Sequence, residues 1–556
     1  MNFKTLLAQQ IEIEGFTNKQ IENMLSVPPT INMGDFALPC FSFSKILKTA
    51  PQNIALSLAE KLNQLDFVEK CEAVNGYLNI FVNRNVYASS VINQLKQQDF
   101  YKQNIGDNKK ACIEYSSVNL AKFMHIGHYN CTILGECIAR MYEFFGYNVT
   151  RINYIGDYGT PFGKMVVAYQ LWGNKEKVLT DGVDEIQNLY VKFNKEENEE
   201  LLNKARYASK MIEDKSGEEY EIYKWFIEIS KQKVVDIISR LGITFDDWRG
   251  ESYYNNKLNN VNTELENAGL LTQSEGAKII DMNNLGLGVC VIQRSDGGSL
   301  YITRDLAAVQ DRYERYNFDE LVYVTAVQQD SHFDKLFAIC KMLNKPYHDK
   351  LKHISYGMFS TPEGKIASRK GKQALLEDTL NLAKEKALSI IENRGFEEGQ
   401  KSEIAEKIAS GAMAMSIFKV ETTKDKVFDL QTAISFDGET APYIQYTYAR
   451  MLSVLKKSNV KANYQSYNIY NDDTAFELLK ELYSLKNTLY EAFKQSEPSL
   501  IARKVLNICA LANNYYNKTR IIGNENESEQ LALLNCVNNA IKTCLNLLCV
   551  SVLDVM

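Results

Sequence analysis

His125-Ile126-Gly127-His128 places two of the chain's five histidines within four residues. On the first turn of a helix, residues three apart share a face, and both imidazoles can donate hydrogen bonds to phosphate oxygens. The helix start adds free N–H groups and a positive dipole end, and Gly127 leaves room for a flat base to approach the backbone. A second group, Lys365-Ile366-Ala367-Ser368-Arg369-Lys370-Gly371-Lys372, gathers enough cations for a triphosphate or pyrophosphate. A third is dispersed: Glu114, Asn119, Tyr301, Asp305, Gln328 and Gln329 fall at predicted strand ends. Tyr301 and Asp305 are spaced i, i+4, so one helical turn aims both the same way, and a carboxylate beside a phenol oxygen is what a guanidinium fork needs. Taken singly, the first group could be a capped surface helix, the second a solvated loop and the third ordinary polar residues.

The elements that must hold these groups are readable around them. Ala111–Tyr115 reads as a short strand, about 126–145 as a helix stopped by Gly146, and Val149–Tyr154 as the next strand, which together make a parallel βαβ unit. The histidine pair then sits between strand and helix, where a parallel sheet places its ligand. Upstream, about 1–85 reads as a small α/β unit with helical patterns at 43–65 and a strand over 74–82, and 101–110 as a polar linker. A Lys/Glu-rich region over about 170–240 predicts solvated amphipathic helices. Leu321–Val324 and His353–Met358 predict further strands, and beyond about 375 the sequence predicts helix after helix with no strand.

With 556 residues the chain has room for two to four domains. Its 45% hydrophobic and 24% charged residues exclude a mainly disordered protein. The net charge of −6 excludes a basic coat for nucleic acid but permits a local basic face. The eleven cysteines show no CxxC spacing, so reduced buried thiols are expected. No apolar run reaches the length of a membrane span, and the first residues turn polar too soon for a secretory signal. A cytoplasmic enzyme without membrane contact and without a protein-held metal is expected.

Longer ordered stretches carry a resemblance. Glu114-Tyr115-Ser116-Ser117-Val118-Asn119-Leu120-Ala121-Lys122-Phe123-Met124-His125-Ile126-Gly127-His128 is similar to the signature of arginyl-tRNA synthetases, members of class I. So are Arg151–Gly159, Tyr301–Ala308 and Ser435–Tyr446, and the similarity runs to Met556. The resemblance implies an α/β fold: a parallel-sheet Rossmann-type catalytic domain (101–375) between an N-terminal α/β domain (1–100) and a C-terminal all-helical bundle (376–556). It implies that His125, Gly127 and His128 hold ATP together with Tyr356, Gly357, Met358 and Lys365. His125 and His128, with Lys122, Arg369 and Lys370, would stabilise the reacting phosphate. The basic loop departs from the Lys-Met-Ser-Lys-Ser class pattern, having Ser368 at the second lysine, and in such members Lys122 is thought to supply the charge. Val118 and Phe123 stand where the family commonly has proline in at least one, which predicts a looser loop.

For the amino acid, the resemblance puts Asn119 and Gln329 on the α-amino or carboxylate end, and Tyr301 and Asp305 on the guanidinium. Glu114 and Glu251 complete the arginine site. Tyr77 and Asn79 would meet the tRNA elbow, and Tyr443, Tyr446 and Met556 the anticodon. The rival for each aromatic is packing: Tyr77 in a small strand core, Tyr443 and Tyr446 between helices. The implied reaction has two steps, attack of the arginine carboxylate on the α-phosphate of MgATP and transfer to the 2′-hydroxyl of the terminal ribose of tRNA(Arg). Neither needs a protein nucleophile. A monomer that forms adenylate only with tRNA bound is expected. Synthetases for glutamate or glutamine would need cations where Tyr301, Asp305 and Glu251 offer acceptors. A non-catalytic RNA binder is disfavoured by both histidines, and a nucleotidylyl transferase leaves the helical tail and N-terminal unit unexplained.

Overall fold

In the computed structural model the described residues are 3–120, 122–294, 301–360, 375–392 and 396–556. The N-terminal part carries an antiparallel sheet of β1 (Phe36–Pro39), β2 (Val68–Val74) and β3 (Tyr77–Val82), with β3 in the middle. Where the sequence predicts one strand over 74–82, the structure has a hairpin. Asn75 and Gly76 turn it with φ of 51° and 82°, the paired left-handed positions that Asn-Gly supplies in a two-residue turn. Along β3, Leu78, Ile80 and Val82 enter the core while Tyr77, Asn79 and Phe81 take the opposite face. The helix expected over 43–65 breaks at Lys48, which is left-handed. It restarts as α1 (Pro51–Leu62) with proline in the first turn, where its missing N–H is not needed. α2 (Arg84–Leu95) leads into the expected linker, which is anchored rather than slack: the Tyr101 ring is buried and its hydroxyl donates to the Leu482 carbonyl at 3.1 Å.

β4 (Lys110–Glu114), α3 (Ile126–Phe144) and β5 (Asn148–Ile152) form the expected βαβ unit, with Cys112 opposite Thr150. The charged region folds as amphipathic helices that include α4 (Thr160–Trp172), α5 (Glu199–Glu213) and α6 (Gly217–Ser239). An antiparallel sheet then follows that the sequence reading omitted: β6 (Thr272–Ser274), β7 (Ala277–Met282) and β8 (Gly288–Gln293). The chain returns through α7 (Tyr301–Tyr316) to β9 (Glu320–Ala326), α8 (Asp330–Met342) and β10 (Leu351–Tyr356). The main sheet is parallel throughout, in the order β10-β9-β4-β5. β4 therefore lies where the chain leaves on one side to β5 and comes back on the other at β9. The loops after β4 and β9 diverge there and open a crevice at the carboxyl edge.

β11 (Phe359–Ser360) pairs in parallel with β12 (Lys426–Val427), a strand beyond 375 where none was expected. The rest is helical: α9 (Leu376–Ile391), α10 (Glu398–Phe418), α11 (Ala441–Lys457), α12 (Asp473–Gln495), α13 (Ser499–Lys518) and α14 (Glu527–Leu547). α14 buries consecutive residues on all sides, as the central helix of a bundle must. It docks on the βαβ unit through the Asn546 carbonyl, which accepts from Arg140 at 2.9 Å. All eleven cysteines are buried and unbridged. Among the described residues no helix is long and apolar enough to cross a membrane.

Candidate active site

The turn that follows β4 is strained. Ser116 and Ser117 both have positive φ, 72° and 44°, a conformation that costs non-glycine residues about 1 kcal/mol or more and is kept where surrounding structure imposes it. Here α3 imposes it. The Ser116 N–H donates to Cys131 Sγ at 3.3 Å, and the Thr132 hydroxyl donates to Ser116 Oγ at 2.9 Å. The chain then runs beside the segment after β5. Leu120 N–H donates to the Gly156 carbonyl, and Gly156 N–H to the Val118 carbonyl. A Cβ at Gly156 would lie 1.8 Å from Asn119 Oδ1, so glycine at 156 is what allows the Asn119 side chain to cross there. Val118 is buried, and together with its bonded carbonyl this fastens its end of the loop without proline.

These constraints line a cavity of about 430 Å³ with Glu114, Ser117, Asn119, Tyr154, Glu251, Tyr301, Asp305, Thr325, Gln328, Gln329 and His332. The six residues expected for the amino acid, Glu114, Asn119, Glu251, Tyr301, Asp305 and Gln329, all meet here. Glu114 ends β4 and is buried, whereas Tyr301 opens α7 at the cavity mouth, 67% exposed. Asp305 lies one turn further along α7, and its Oδ2 is 2.6 Å from His332 Nε2. Glu251 opens the 3-10 turn Glu251–Lys257. Asp157 fixes that turn by accepting from Ser252 N–H at 2.8 Å and from the Ser252 hydroxyl at 2.7 Å. An ionic network joins the turn to α7: Asp311 takes Lys257 and Arg315, and Arg315 also holds Asp247 at 2.9 Å. The two walls that carry Glu251 and Asp305 are thereby locked across from each other.

Burial pushes the Glu251 carboxyl up to about 7; Arg304 pulls it down, while Asp305 and Asp157 push it further up. Burial likewise raises Glu114 to about 7 against the pull of Arg312. A pocket so crowded with carboxylates favours a cationic ligand.

Beside the cavity, His125 caps α3. Its Nδ1 accepts from Gly127 N–H, and His128 Nδ1 accepts from His125 N–H, each at 3.1 Å. The rings stack with centroids 3.8 Å apart. The sequence leads one to expect free N–H groups at this helix start, yet the Gly127 N–H is taken by the cap. What the cap gives instead is two imidazoles whose Nδ1 atoms are acceptors, which puts the proton of each neutral ring on Nε2. Burial, then its partner His125 and Lys122, lowers His128 to about 3, and burial and Lys122 lower His125. Both are therefore neutral donors at pH 7. Positive charge for a phosphate must come from elsewhere. Lys122 is exposed nearby, and the segment that follows the basic loop is bound to the histidines, with Leu375 bridged to His125 and Leu376 N–H donating to the Met124 carbonyl. Lys365, Arg369 and Lys370 lie outside the described residues.

Of the other residues expected at ATP, Gly357 is drawn to α3, its carbonyl accepting from Asn130 Nδ2 at 3.1 Å. A Cβ there would meet the Lys424 carbonyl at 2.2 Å, so Gly357 also serves packing. Tyr356 is turned inward toward Cys131, while Met358 is exposed.

Three family descriptions match the chain: "Arginyl tRNA synthetase N terminal domain" over 1–82, "tRNA synthetases class I (R), catalytic domain" over 90–430, and "DALR anticodon binding domain" over 444–556. Arginine–tRNA ligase of Halothermothrix orenii is 37% identical over 99% of this chain and 98% of its own length. That of Clostridium perfringens is 37% identical over the whole of both chains. The chain belongs to the arginyl-tRNA synthetase family. The solved Thermus thermophilus arginyl-tRNA synthetase shares its fold, with a TM-score of 0.78 over 96% of each chain at 24% identity.

In this arginyl-tRNA synthetase fold the remaining expected residues are widely separated. Tyr77 is 44% exposed, so it is not a core residue of its strand, and the Phe41 ring meets it edge-on at 5.2 Å. Asn79 follows on the same face. On α11 the Tyr443 hydroxyl accepts from Asn513 Nδ2 at 3.2 Å, a contact between helices, whereas Tyr446 stays exposed. Met556 packs partly against the helical core.

Of the residues that the sequence reading did not single out, His332 lines the cavity and Arg312 stands behind its wall. His332 is the third residue of α8, three after Gln329, the spacing already noted at His125 and His128, and that repetition was the available signal. Arg312, behind Glu114, left no local signal, because its partner is distant in sequence.

Proposed function

We propose that this chain activates arginine with ATP and esterifies tRNA with it, and that the cavity between β4 and β9 holds the arginine. The observation that carries this reading is the convergence of Glu114, Glu251, Asp305 and Tyr301, from three separate elements, on one cavity beside the histidine pair. A guanidinium presents five N–H donors in a rigid plane, and Asp305, Glu251 and Tyr301 are the acceptors for it. Asn119 and Gln329 take the α-amino or carboxylate end, which directs that carboxylate toward His125 and His128. A neutral analogue would leave the buried carboxylates unpaired, and that is how the pocket discriminates.

In the first step a carboxylate oxygen of arginine attacks the α-phosphorus and the bond to pyrophosphate breaks. In the second the ribose 2′-hydroxyl attacks the adenylate carbonyl and AMP leaves. His125 and His128 donate through Nε2 to the phosphate, while Lys122 and the loop cations Lys365, Arg369 and Lys370 offset its growing charge. Gly127, Tyr356, Gly357 and Met358 border the nucleotide. Mg²⁺ would arrive with ATP, on phosphate oxygens and water. Tyr77 and Asn79 meet the tRNA elbow, where a ring can stack on an unpaired base; Tyr446, Tyr443 and Met556 serve the anticodon end. The enzyme acts as a cytoplasmic monomer, for which the eleven unbridged thiols argue a reducing compartment.

Charging of tRNA(Arg) with each of several labelled amino acids tests the reading. Arginine alone should give an alkali-labile ester on the tRNA, and labelling by lysine or glutamate instead would overturn the assignment of the pocket.

A further inference from the structure

We propose that Arg312 is a positioning residue of the arginine site, an internal guanidinium that holds the Glu114 carboxylate in one orientation at the cavity wall. The inference rests on the assignment of that cavity to arginine. Arg312 Nη1 is in direct contact with Glu114 Oε2, and the two side chains are 1% and 6% exposed. Arg312 lies two turns beyond Asp305 on α7, so one helix presents a carboxylate to the ligand and a cation to the neighbouring carboxylate. Glu114 lines the cavity and Arg312 stands behind it. The Tyr154 and Tyr323 rings flank the guanidinium at 5.1 and 5.9 Å.

This pair is a poor way to stabilise a fold. Both charges have left water, and among the described residues Arg312 Nε and Nη2 have no hydrogen-bond partner. Apolar side chains of similar volume commonly stabilise such a site as well or better. What the arrangement provides is a Glu114 carboxylate fixed at the cavity wall with a cation behind it that favours its ionised form. The groups facing that carboxylate are Arg312 and Asp305 from α7, Asp247 from the segment before the 3-10 turn, Tyr323 from β9 and Tyr154 from the segment after β5. Burial and both aspartates favour its neutral form, and Arg312 opposes them. A guanidinium suits this role because it stays protonated where a buried lysine would titrate.

The test is a double-mutant cycle with Arg312→Met, Glu114→Gln and the double variant, joined by Arg312→Lys. Arginine and ATP KM values are read from ATP–pyrophosphate exchange with tRNA across pH 6.5–9, beside calorimetric binding of arginine to the unmodified protein. At pH 7, Arg312→Met should raise the arginine KM about tenfold or more, the scale of one hydrogen bond to a charged group, and leave the ATP KM within about twofold. The deficit should shrink as pH rises and Glu114 ionises unaided, and Arg312→Lys should restore part of it. In the Glu114→Gln background, Arg312→Met should add no further loss. A deficit that is equal at every pH and additive with Glu114→Gln would reduce Arg312 to a packing residue. If Arg312→Met does not fold, the Lys variant and the neutral double variant carry the same comparison. Unmodified protein that binds no arginine would overturn the pocket assignment itself, whereas normal binding with an unaffected Arg312→Met variant would overturn only this inference.

Discussion

Arginine binding should lose strength steeply between pH 8 and pH 6. Glu114 and Glu251 are both raised to about 7, chiefly by burial, and each must be ionised to pair with a cationic ligand. At pH 8 a carboxyl with that value is about nine-tenths ionised, and at pH 6 about one-tenth. Each group therefore weakens binding about tenfold over this interval, and the two together roughly a hundredfold, about 2.7 kcal/mol. The sign follows from linkage: the ligand favours the deprotonated forms, so binding releases protons and falls as pH falls. At pH 7, with both groups half-protonated, about one proton should be released per arginine bound. Isothermal titration of arginine at pH 6, 7 and 8, in two buffers of different ionisation heat, measures both quantities, and ATP titrated alongside controls for unfolding. Arginine affinity that stays level from pH 8 to 6, or heats at pH 7 that are independent of buffer, would refute the argument that these buried carboxyls contact the substrate.

Substituting Asp305→Asn removes a guanidinium acceptor and leaves His332 without its carboxylate; the arginine KM should rise by about two orders of magnitude, as for a buried charge pair broken on one side, with the ATP KM nearly intact. Equal loss for both substrates would mean a folding defect or a wrong pocket. Lys122→Ala should slow adenylate formation about a hundredfold, the usual loss for one electrostatic contact to a transition state, while tRNA affinity in a filter-binding assay is unchanged; an unaltered rate would remove Lys122 from the mechanism. Gly156→Ala places a methyl 1.8 Å from Asn119 Oδ1, so steady-state kinetics should show a raised arginine KM, and a wild-type value would mean that Asn119 does not hold the substrate.

The parts of the site that could be read from sequence are those built by local spacing. His125 and His128 announce themselves because a helix start needs only a few residues to be recognisable, and Tyr301 with Asp305 because one turn aligns them. Their convergence with Glu114, Asn119, Glu251 and Gln329 is set by strand order, and for that the resemblance to a known family stood in for topology. The cap geometry was hidden for a subtler reason: residue types do not say whether a histidine Nδ1 or a phosphate takes the first N–H groups of α3. Arg312 and His332 were missed because each acts through a residue from a different element. In the fold, Asn75-Gly76 was a legible hairpin signal that the continuous apolar pattern over 74–82 obscured. The β6–β8 sheet keeps Val289 and Val291 exposed, so its alternation does not resemble a core strand, and β12 is too short for any period to appear.

Arginine-dependent ATP–pyrophosphate exchange, with and without tRNA(Arg), tests most directly the claim that this crevice activates arginine. The account predicts exchange with arginine in the presence of that tRNA, and none with lysine or glutamate in its place. Folded protein that exchanges with neither arginine nor its tRNA present together, or that exchanges equally well with lysine, would contradict it.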